Sequence, residues 1–368
     1  DEGWSGKNIT IGFVDTGIMR NHPALSGRVQ SPELVYIDPK TNNTSIDDVV
    51  GHGTWVAEIA AGKAYGRFPG GIAPGAKLVS ARIISDERPT DDGSGKGNEV
   101  TADDAVFFSD YLNPDLVSAG VQVMNNSWGG IYWDTSKAAI NSAFGNAYVP
   151  FVKDHGGLVV FAAGNESLDN PSDIASLPTV APGLGLDKGW LVAVAVDSNH
   201  LDQLADYSNQ CGRTRNYCLA APGDVVVGDK DAASSAHADD YWIVNGTSFA
   251  APIVSGAAAL VWEAFPYFDN DLVRQTLLGT ADDIGAPGVD AVFGYGMLNV
   301  GKAVHGPGRF DWGTVTVKLP GSTESSWDNP ISGAGGLIKQ GDGTLHLTAA
   351  SSYTGLTQVT AGTLTAQA

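Results

Sequence analysis

Three short segments each place a chemically reactive side chain close to glycine. Asp15 ends the apolar run IGFVD, His52 lies between two glycines in GHGT, and Ser248 follows closely after Gly246 in NGTS. A serine hydroxyl is too weak an acid to attack an amide unaided. It needs a base poised near neutrality, which histidine supplies, and the histidine needs a carboxylate to fix its tautomer and stabilise its cation. The three residue types together therefore indicate nucleophilic catalysis.

A fourth segment, VVFAAGNES, places Asn165 at the end of a predicted strand. Attack on a carbonyl group creates an oxyanion, and the Asn165 amide could donate one hydrogen bond to it. Ser248 begins a predicted helix, and the N–H groups and dipole at a helix start favour negative charge. The sequence thus offers donors as well as a nucleophile.

The elements that must position these residues alternate between apolar runs and helix-like segments. Near-continuous Val, Ile, Leu and Ala is typical of parallel strands covered on both faces. The alternation predicts an α/β fold with a doubly wound, mostly parallel sheet, whose site collects at the carboxyl ends of the strands. The predicted strands are residues 9–14, 77–84, 121–127, 157–164 and 190–196. The predicted helices are residues 52–61, 99–119 with an interruption near Pro114, 136–155, 247–264 and 270–280.

The motifs around these residues resemble those of the subtilisin-like serine peptidases. They are DTGI (15–18), GHGT (51–54), AAGNE (162–166) and NGTSFAAP (245–252), with further similarity in GIAPGAKL (71–78) and NSWGG (126–130). The resemblance runs from about Gly6 to Ala303 and implies a three-layer peptidase fold. It implies a serine endopeptidase that hydrolyses peptide bonds through an acyl-enzyme. Asp15 would orient His52, His52 would act as base and then acid, and Ser248 would be the nucleophile, with Asn165 and the Ser248 N–H as the oxyanion hole.

The same resemblance implies where a substrate would bind. An extended peptide would lie between two backbone segments as an added strand, and the side chain before the scissile bond would enter a pocket. Glu166 lies near the rim of that pocket and could favour a basic residue, and Trp128 could shape the pocket. The implied substrate-binding residues are Gly93, Ser94, Gly95, Ser127, Trp128, Gly129, Ala162, Ala163, Gly164 and Glu166.

Some positions depart from the family pattern. Trp55 and Glu58 follow His52 where the family commonly has other residues, and we expect them only to alter packing. KAYGRFPG replaces the Asn-rich calcium loop of the best-known members, so no metal ligands are assigned. No cofactor is expected to be required, and calcium stays open with no site; the pair Asp91 and Asp92 is interpreted as a solvated loop. His22 has no partner motif and is expected to be a surface or capping residue.

The composition changes after about His305. The 63 residues from Gly306 onward contain 10 Thr, 11 Gly and 6 Ser, and a Gly-Thr-Leu signal repeats at Gly343 and Gly362. Short alternating strands at a repeat of about this length predict stacked rungs of a β-solenoid. We therefore predict a peptidase domain over residues 1–305 and the start of a β-solenoid over residues 306–368. A Thr/Gly-rich linker is the alternative.

Residues 331–366 also resemble the passenger repeats of Gram-negative autotransporters. That resemblance implies a protein that is secreted or held at the cell surface, by way of the periplasm and outer membrane. Membrane contact is expected only through a C-terminal barrel that is missing from this sequence. We expect a monomer whose partners are protein or peptide substrates.

The net charge and the two cysteines limit which partners and which cellular compartment fit this sequence. The formal net charge of −20 argues against nucleic-acid partners, since phosphate contacts need clustered Lys and Arg. The chain is 17% charged and 43% apolar, which excludes a disordered acidic tail. Cys211 and Cys218 lie close together in a short loop, and this spacing favours a disulfide in an oxidising compartment over two free thiols.

Two other functions fit parts of the pattern. A catalytically inactive adhesin or interaction module could use the same scaffold, with the solenoid as its stalk. The intact set of Asp15, His52, Ser248 and Asn165 argues against this alternative. An esterase would use the same residues and would differ only in its substrate.

Overall fold

The computed structural model describes residues 2–87 and 99–367. Its centre is an eight-stranded sheet built from strands β1 (Thr10–Asp15), β2 (Leu34–Val35), β3 (Lys77–Arg82), β4 (Val123–Asn126), β5 (Leu158–Ala162), β6 (Trp190–Asp197), β7 (His200–Leu204) and β8 (Cys218–Pro222). The order β2-β3-β1-β4-β5-β6 is parallel throughout, β8 adds in parallel to β6, and β7 pairs with β6 in the antiparallel sense. The predicted α/β, doubly wound, mostly parallel sheet is confirmed.

Alternate residues of each central strand pack into two separate hydrophobic cores, one on each face of the sheet. The fold therefore has three layers, with the sheet between two layers of helices. In β5, Leu158 and Val160 face the first core, whereas Val159 and Phe161 face the second. Successive side chains of a strand point to opposite faces, so a run of apolar residues is what a sheet covered by helices on both sides requires. The helices are α1 (His52–Ala61), α2 (Asn113–Ser118), α3 (Ala138–Val149), α4 (Leu177–Val180), α5 (Thr247–Ala264), α6 (Asn270–Gly279) and α7 (Val300–Ala303).

Two predicted helices are interrupted where the chain contains proline. Residues 99–119 form a 3₁₀ turn (Ala102–Asp104), a π-helical turn (Phe107–Leu112) and then α2, whose second residue is Pro114. A second π-helical turn, Pro150–Asp154, follows α3 directly. Proline lacks the N–H that a regular helix needs and crowds the preceding turn, so the backbone widens locally. Two further 3₁₀ turns span Leu186–Gly189 and Gly212–Tyr217.

Helix α5 carries Ser248 at its second position and runs through the middle of the first core. It is long and apolar enough to cross a bilayer, but 83% of it is buried inside the fold, as expected for the core helix of a globular domain. Its neighbours include α1 and strands β4, β5, β6 and β8. The helix that carries Ser248 is therefore held by the central strands of the sheet.

An antiparallel hairpin of β9 (Asp224–Gly228) and β10 (Tyr241–Asn245) precedes α5. It is absent from the sequence prediction because both strands are short and twelve residues separate them. A short apolar run far from its partner carries no hairpin turn signal. We call β9, β10 and the loop between them, residues 224–245, the hairpin.

The C-terminal segment forms two small parallel sheets that stack in rungs. The first sheet contains β11 (Val315–Lys318), β13 (Leu337–Gln340) and β15 (Thr357–Val359), and the second contains β12 (Glu324–Trp327), β14 (Thr344–Leu347) and β16 (Thr363–Ala366). In the second sheet Thr344 lies opposite Thr363, which matches the repeat offset in the sequence. The predicted start of a β-solenoid is confirmed.

The first rung packs directly on the peptidase region through Trp327, whose side chain is fully buried. The indole Nε1 of Trp327 donates to the Tyr267 hydroxyl at 2.9 Å, and its ring meets Phe268 edge-on at 5.8 Å. Solenoid residues such as Val317 and Leu337 belong to the same core cluster as α5. The division at residues 305/306 stays a prediction, and the hydrophobic core crosses it.

Candidate active site

Asp15 and His52 are joined by a short hydrogen bond at the carboxyl edge of the sheet. Asp15 is the last residue of β1, His52 is the first residue of α1, and His52 Nδ1 lies 2.7 Å from Asp15 Oδ1. Asp15 is 1% exposed, and its Oδ1 also accepts the Thr16 N–H at 2.7 Å. Gly17 and Gly53 allow the two backbones to approach, since a Cβ on Gly53 would collide with the Gly17 carbonyl.

This contact determines how His52 can act. Burial alone would lower the pKa of the imidazole, but the charge of Asp15 and its hydrogen bond outweigh burial and raise the pKa above 6.5. A neutral imidazole that donates from Nδ1 to a carboxylate keeps Nε2 free to accept a proton. The side chain remains 25% exposed, so a substrate can reach it. His52 thus keeps the free ring nitrogen that a base requires.

A second buried carboxylate, Asp48, organises the start of α1, and it is not among the site residues predicted from the sequence. Asp48 is fully buried and accepts four hydrogen bonds: from Thr16 Oγ1 (2.9 Å), Gly51 N (2.8 Å), Thr54 N (3.0 Å) and Thr54 Oγ1 (2.7 Å). Thr16 Oγ1 in turn accepts the Gly53 N–H at 2.8 Å. Burial raises the pKa of Asp48, and these hydrogen bonds oppose the rise. An acidic residue a few positions before GHGT was the available signal.

Ser248 lies at the N-terminal end of α5 and is 9% exposed. Its Oγ donates to the backbone carbonyl of Ser127 at 2.9 Å. Within residues 2–87 and 99–367 no hydrogen bond joins Ser248 to His52, although the ring of the next residue, Phe249, lies 5.3 Å from the imidazole. The structure therefore brings the predicted nucleophile and base into one cleft, with the serine hydroxyl turned toward Ser127.

Asn165 is oriented by the residue before Ser248. Its Oδ1 accepts both the N–H and the hydroxyl of Thr247, each at 2.8 Å. The Thr247 hydroxyl also accepts the Gly164 N–H at 3.1 Å, so the end of β5 is tied to the start of α5. Because the amide oxygen is occupied, the Asn165 NH₂ group is left as a donor on the exposed side. That is the arrangement an oxyanion donor needs.

The predicted pocket walls follow two neighbouring parallel strands. Ser127, Trp128 and Gly129 come after β4, and Ala162, Ala163 and Gly164 lie at the end of β5, which pairs with β4. Trp128 stacks against Phe108 at 6.1 Å and meets Phe161 edge-on at 5.3 Å, so its ring forms part of the second core. Gly93, Ser94 and Gly95, predicted for the facing wall, lie outside the described residues, as do Asp91 and Asp92.

Glu166 is held in place near the predicted rim by two donors. Its Oε2 accepts Asn209 Nδ2 at 2.9 Å and the Tyr132 hydroxyl at 3.3 Å. Asn209 Nδ2 also donates to the Ala163 carbonyl at 3.0 Å, which links the carboxylate to the pocket wall. Gly164 has φ +112°, and a side chain there would collide with Asn209 and Glu166. The carboxylate is therefore fixed and exposed.

Two further sets of residues bear on stability and ligands. Cys211 and Cys218 form the predicted disulfide, with an S–S distance of 2.10 Å. Among the residues that the structure describes, one group has metal-ligand spacing: Asp229, His237 and Asp240. Those side chains already bond to one another and to neighbours, with His237 Nδ1 2.9 Å from Asp240 Oδ2 and Trp242 Nε1 donating to Asp229 Oδ2 at 2.9 Å.

His22 and Glu58 have a larger role than the sequence indicated. Both are fully buried, so the expectation of a surface position for His22 is wrong, although its Nδ1 does cap the Ala24 N–H at 3.1 Å. His22 Nε2 lies 3.0 Å from the Asp229 carbonyl, and Glu58 Oε1 accepts the Gly228 N–H at 2.8 Å. Burial lowers the pKa of His22 to about 4 and raises that of Glu58 well above its usual value. Glu58 attaches the hairpin to α1, and His22 attaches it to the loop after β1.

Comparison with known proteins places this geometry in a family. Residues 6–296 match the model described as "Subtilase family", and residues 337–366 match "Passenger-associated-transport-repeat". The chain is 32% identical to Serotype-specific antigen 1 of Mannheimia haemolytica, over 94% of this chain and 43% of that protein. It is 30% identical to the autotransporter lipoprotein NalP of Neisseria meningitidis, over 99% of this chain and 39% of that protein. It is also 30% identical to an extracellular serine protease of Serratia marcescens, over 98% and 41%.

Solved structures agree with this assignment. The self-cleaved protease domain of PatA is 27% identical, with a TM-score of 0.58 over 82% of this chain and 97% of that one. MycP3, a protease of a type VII secretion system, shares the fold with a TM-score of 0.60 at 24% identity, over 82% of this chain and 84% of that one.

The chain spans about two fifths of the length of the curated relatives that it matches. The predicted subtilisin-like serine peptidase with passenger repeats is confirmed at the level of family, and so is a secreted or cell-surface location. The chain belongs to the subtilase family.

Proposed function

We propose that this chain is a serine endopeptidase that hydrolyses peptide bonds through Asp15, His52 and Ser248 and an acyl-enzyme intermediate. The observation that carries the proposal is the 2.7 Å hydrogen bond from His52 to the buried Asp15, because it leaves the opposite ring nitrogen free to take a proton. Family membership and the relatives named as serine proteases support it. Its substrates are peptides or proteins.

The proposed reaction begins with a rotation of the Ser248 side chain. The hydroxyl leaves the Ser127 carbonyl and turns to His52 Nε2. Ser248 Oγ then attacks the carbonyl carbon while its proton passes to His52. The developing oxyanion accepts hydrogen bonds from Asn165 Nδ2 and the Ser248 N–H at the start of α5.

Two bond changes complete the turnover. The tetrahedral intermediate collapses, the C–N bond breaks, and His52 gives its proton to the leaving amine, which leaves the acyl group on Ser248. A water molecule then attacks the acyl-enzyme and gives its proton to His52. The C–O bond to Ser248 breaks, His52 returns the proton to Ser248 Oγ, and the carboxylic acid is released. Asp15 stays ionised throughout and stabilises the imidazolium. This chemistry needs no cofactor.

A catalytically inactive interaction module is the second candidate, and one observation favours it. The Ser248 hydroxyl bonds to Ser127 and not to His52. If that conformation were locked, the serine would not be activated. An esterase with the same residues differs only in the bond it cleaves.

Reaction of the full chain with a serine-directed phosphonate tests the proposal, together with hydrolysis of a quenched fluorescent peptide library. We expect one phosphonate per chain, located on Ser248 by peptide mapping, and loss of both labelling and hydrolysis in Ser248→Ala. Ser322→Ala, an exposed serine in the solenoid, serves as the matched control and should label and cleave as the original chain does. An unlabelled Ser248 in a folded chain would establish the inactive module. Ester cleavage without any peptide cleavage would establish the esterase.

A further inference from the structure

Asn209 is a fully buried residue that concentrates its hydrogen bonds on one short stretch of chain, residues 163–168. We call this stretch, which contains Asn165, the oxyanion segment. Both the side chain and the backbone of Asn209 take part. The bonds run from Asn209 Nδ2 to the Ala163 carbonyl (3.0 Å) and Glu166 Oε2 (2.9 Å), from Glu166 N (3.1 Å) and Leu168 N (2.8 Å) to Asn209 Oδ1, and from Asn209 N to the Gly164 carbonyl (2.9 Å).

These contacts use the whole bonding capacity of the Asn209 side chain. An asparagine amide has two N–H donors and an oxygen with two acceptor positions, and all four are occupied here. Aspartate at this position would set a charged oxygen against the Ala163 carbonyl and the Glu166 carboxylate. Leucine would leave buried polar groups without partners, which is costly. The site therefore fits an amide of this length.

Asn209 is itself fixed to the central sheet. The preceding residue, Ser208, accepts the Ala195 N–H of β6 on its Oγ at 3.0 Å. Two residues after Asn209, Cys211 is fully buried and is joined to Cys218 by the disulfide. Asn209 can therefore act as a rigid support for the segment that it binds.

Asn165 is held from two sides as a result. On one side, Thr247 binds the amide oxygen of Asn165 and so sets the rotation of the amide. On the other side, Asn209 binds the residues directly before and after Asn165, through the Gly164 carbonyl and the Glu166 N–H. Asn209 thus sets the backbone from which the Asn165 side chain projects. An oxyanion donor has to be preorganised to within about 0.5 Å of its productive position.

We propose that Asn209 is a positioning residue of the oxyanion hole, which fixes the oxyanion segment so that the Asn165 NH₂ group meets the developing oxyanion. Being fully buried, Asn209 acts through Asn165 and not on the substrate itself. The inference rests on the proposed function and adds to it a residue outside the predicted catalytic set. Its effect falls on kcat, because the interaction that Asn165 supplies exists only in the transition state.

Steady-state kinetics of the full chain measures this effect. The substrate is the best-cleaved library peptide that has an uncharged residue before the scissile bond, so that the charge of Glu166 has no partner on it. Asn209→Asp should lower kcat by about ten- to hundredfold with KM within about threefold, a smaller loss than the 10²–10³-fold expected for removing an oxyanion donor outright. Asn199→Asp makes the same chemical change at an exposed turn between β6 and β7 and should keep both constants.

A double-mutant cycle separates positioning from a general loss of structure. In an Asn165→Ala background the donor is already gone, so Asn209→Asp should lower kcat by less than about threefold further. A merely structural role would lower kcat by the same factor in both backgrounds, because effects that do not pass through Asn165 are independent of it.

A second variant guards against misfolding caused by a buried charge. Asn209→Ser is neutral and smaller, and its hydroxyl can keep one of the original bonds. Urea denaturation identifies which variants are folded, and the cycle is measured on each of them. If neither variant folds, Asn209 supports the whole domain, and its assignment to the oxyanion hole is overturned.

The outcomes distinguish this inference from the proposed function. Cleavage by the original chain, with the same effect of Asn209→Asp in both backgrounds, overturns the inference and leaves the peptidase intact. A kcat within about threefold of the original in folded Asn209→Asp and Asn209→Ser overturns it as well. Failure of the original chain to cleave any library peptide overturns the proposed function itself.

Discussion

Ser248 Oγ donates its hydrogen bond to the backbone carbonyl of Ser127, 2.9 Å away, across the cleft that a substrate would occupy. The same carbonyl belongs to the segment expected to pair with an extended peptide. A substrate N–H that reached Ser127 would therefore compete with the serine hydroxyl for one acceptor. Substrate binding would then free the Ser248 hydroxyl to hydrogen-bond to His52, so that the serine becomes activated only when a substrate is present.

Asn165→Ala should lower kcat by about 10²–10³-fold with little change in KM, because the lost donor acts on charge that exists only in the transition state. Asn165→Asp is the informative companion. It keeps an oxygen for the Thr247 N–H and hydroxyl but has no NH₂ to offer. Steady-state kinetics on a fluorogenic peptide measures both, and a kcat within about threefold of the original in either variant would contradict the assignment.

Activity should rise with pH through the pKa of His52, since only the neutral imidazole can take the serine proton. The charge and hydrogen bond of Asp15 overcome burial, so the midpoint of kcat/KM against pH should lie above 6.5. In Asp15→Asn the raising contribution disappears, so the midpoint should move down while kcat falls by about 10⁴-fold. A midpoint that does not move on this substitution would show that Asp15 does not set the protonation of His52.

Asp48→Asn should lower both stability and kcat. All four of its partners donate, so an amide NH₂ in this position would face at least one donor, at a cost of about 1–3 kcal/mol in the free energy of unfolding. Urea denaturation measures that cost, and the kcat of the remaining folded protein reports the position of His52. Asp38→Asn, an exposed aspartate in a neighbouring loop, is the control. Unchanged stability and kcat would remove Asp48 from this role.

The sequence was sufficient for the residues whose role is local. The predicted start of α1 at His52 agrees with the structure, as do both ends of α5, because glycines and an apolar core pattern mark these boundaries in the chain itself. The predicted strands that lead to Asp15 and Asn165 also agree, within a few residues. Motif and periodicity are properties of neighbouring residues, which a single sequence contains.

The sequence was insufficient wherever a role depends on contacts between distant segments. Asp48 acts through Thr16, 32 positions earlier, and Glu58 reaches Gly228, 170 positions later. No spacing rule connects such pairs, since loops and crossovers bring them together. The direction of the Ser248 hydroxyl could not be predicted either. It depends on where the backbone carbonyl of Ser127 lies, and every residue type has such a carbonyl.

Trp327→Ala should destabilise the peptidase as well as the solenoid, by about 3–5 kcal/mol, as expected for truncating a fully buried tryptophan. Its indole packs on Phe268 and bonds to Tyr267, both next to α6. The temperature at which peptide hydrolysis is lost should fall in this variant. Leu356→Ala, which truncates an exposed solenoid side chain, should leave that temperature unchanged. Loss of the solenoid fold without any effect on hydrolysis would show that the two regions are independent.

The core that continues through Trp327 also has a mechanical consequence. A peptidase domain on a flexible linker could adopt many orientations and cleave any substrate within reach of the linker. A peptidase region that shares a hydrophobic core with the solenoid instead keeps its cleft in one orientation relative to the solenoid axis, and the two rotate together. Which neighbouring proteins are cleaved would then depend on the position and orientation of the solenoid, as well as on the sequence of the peptide that binds in the cleft.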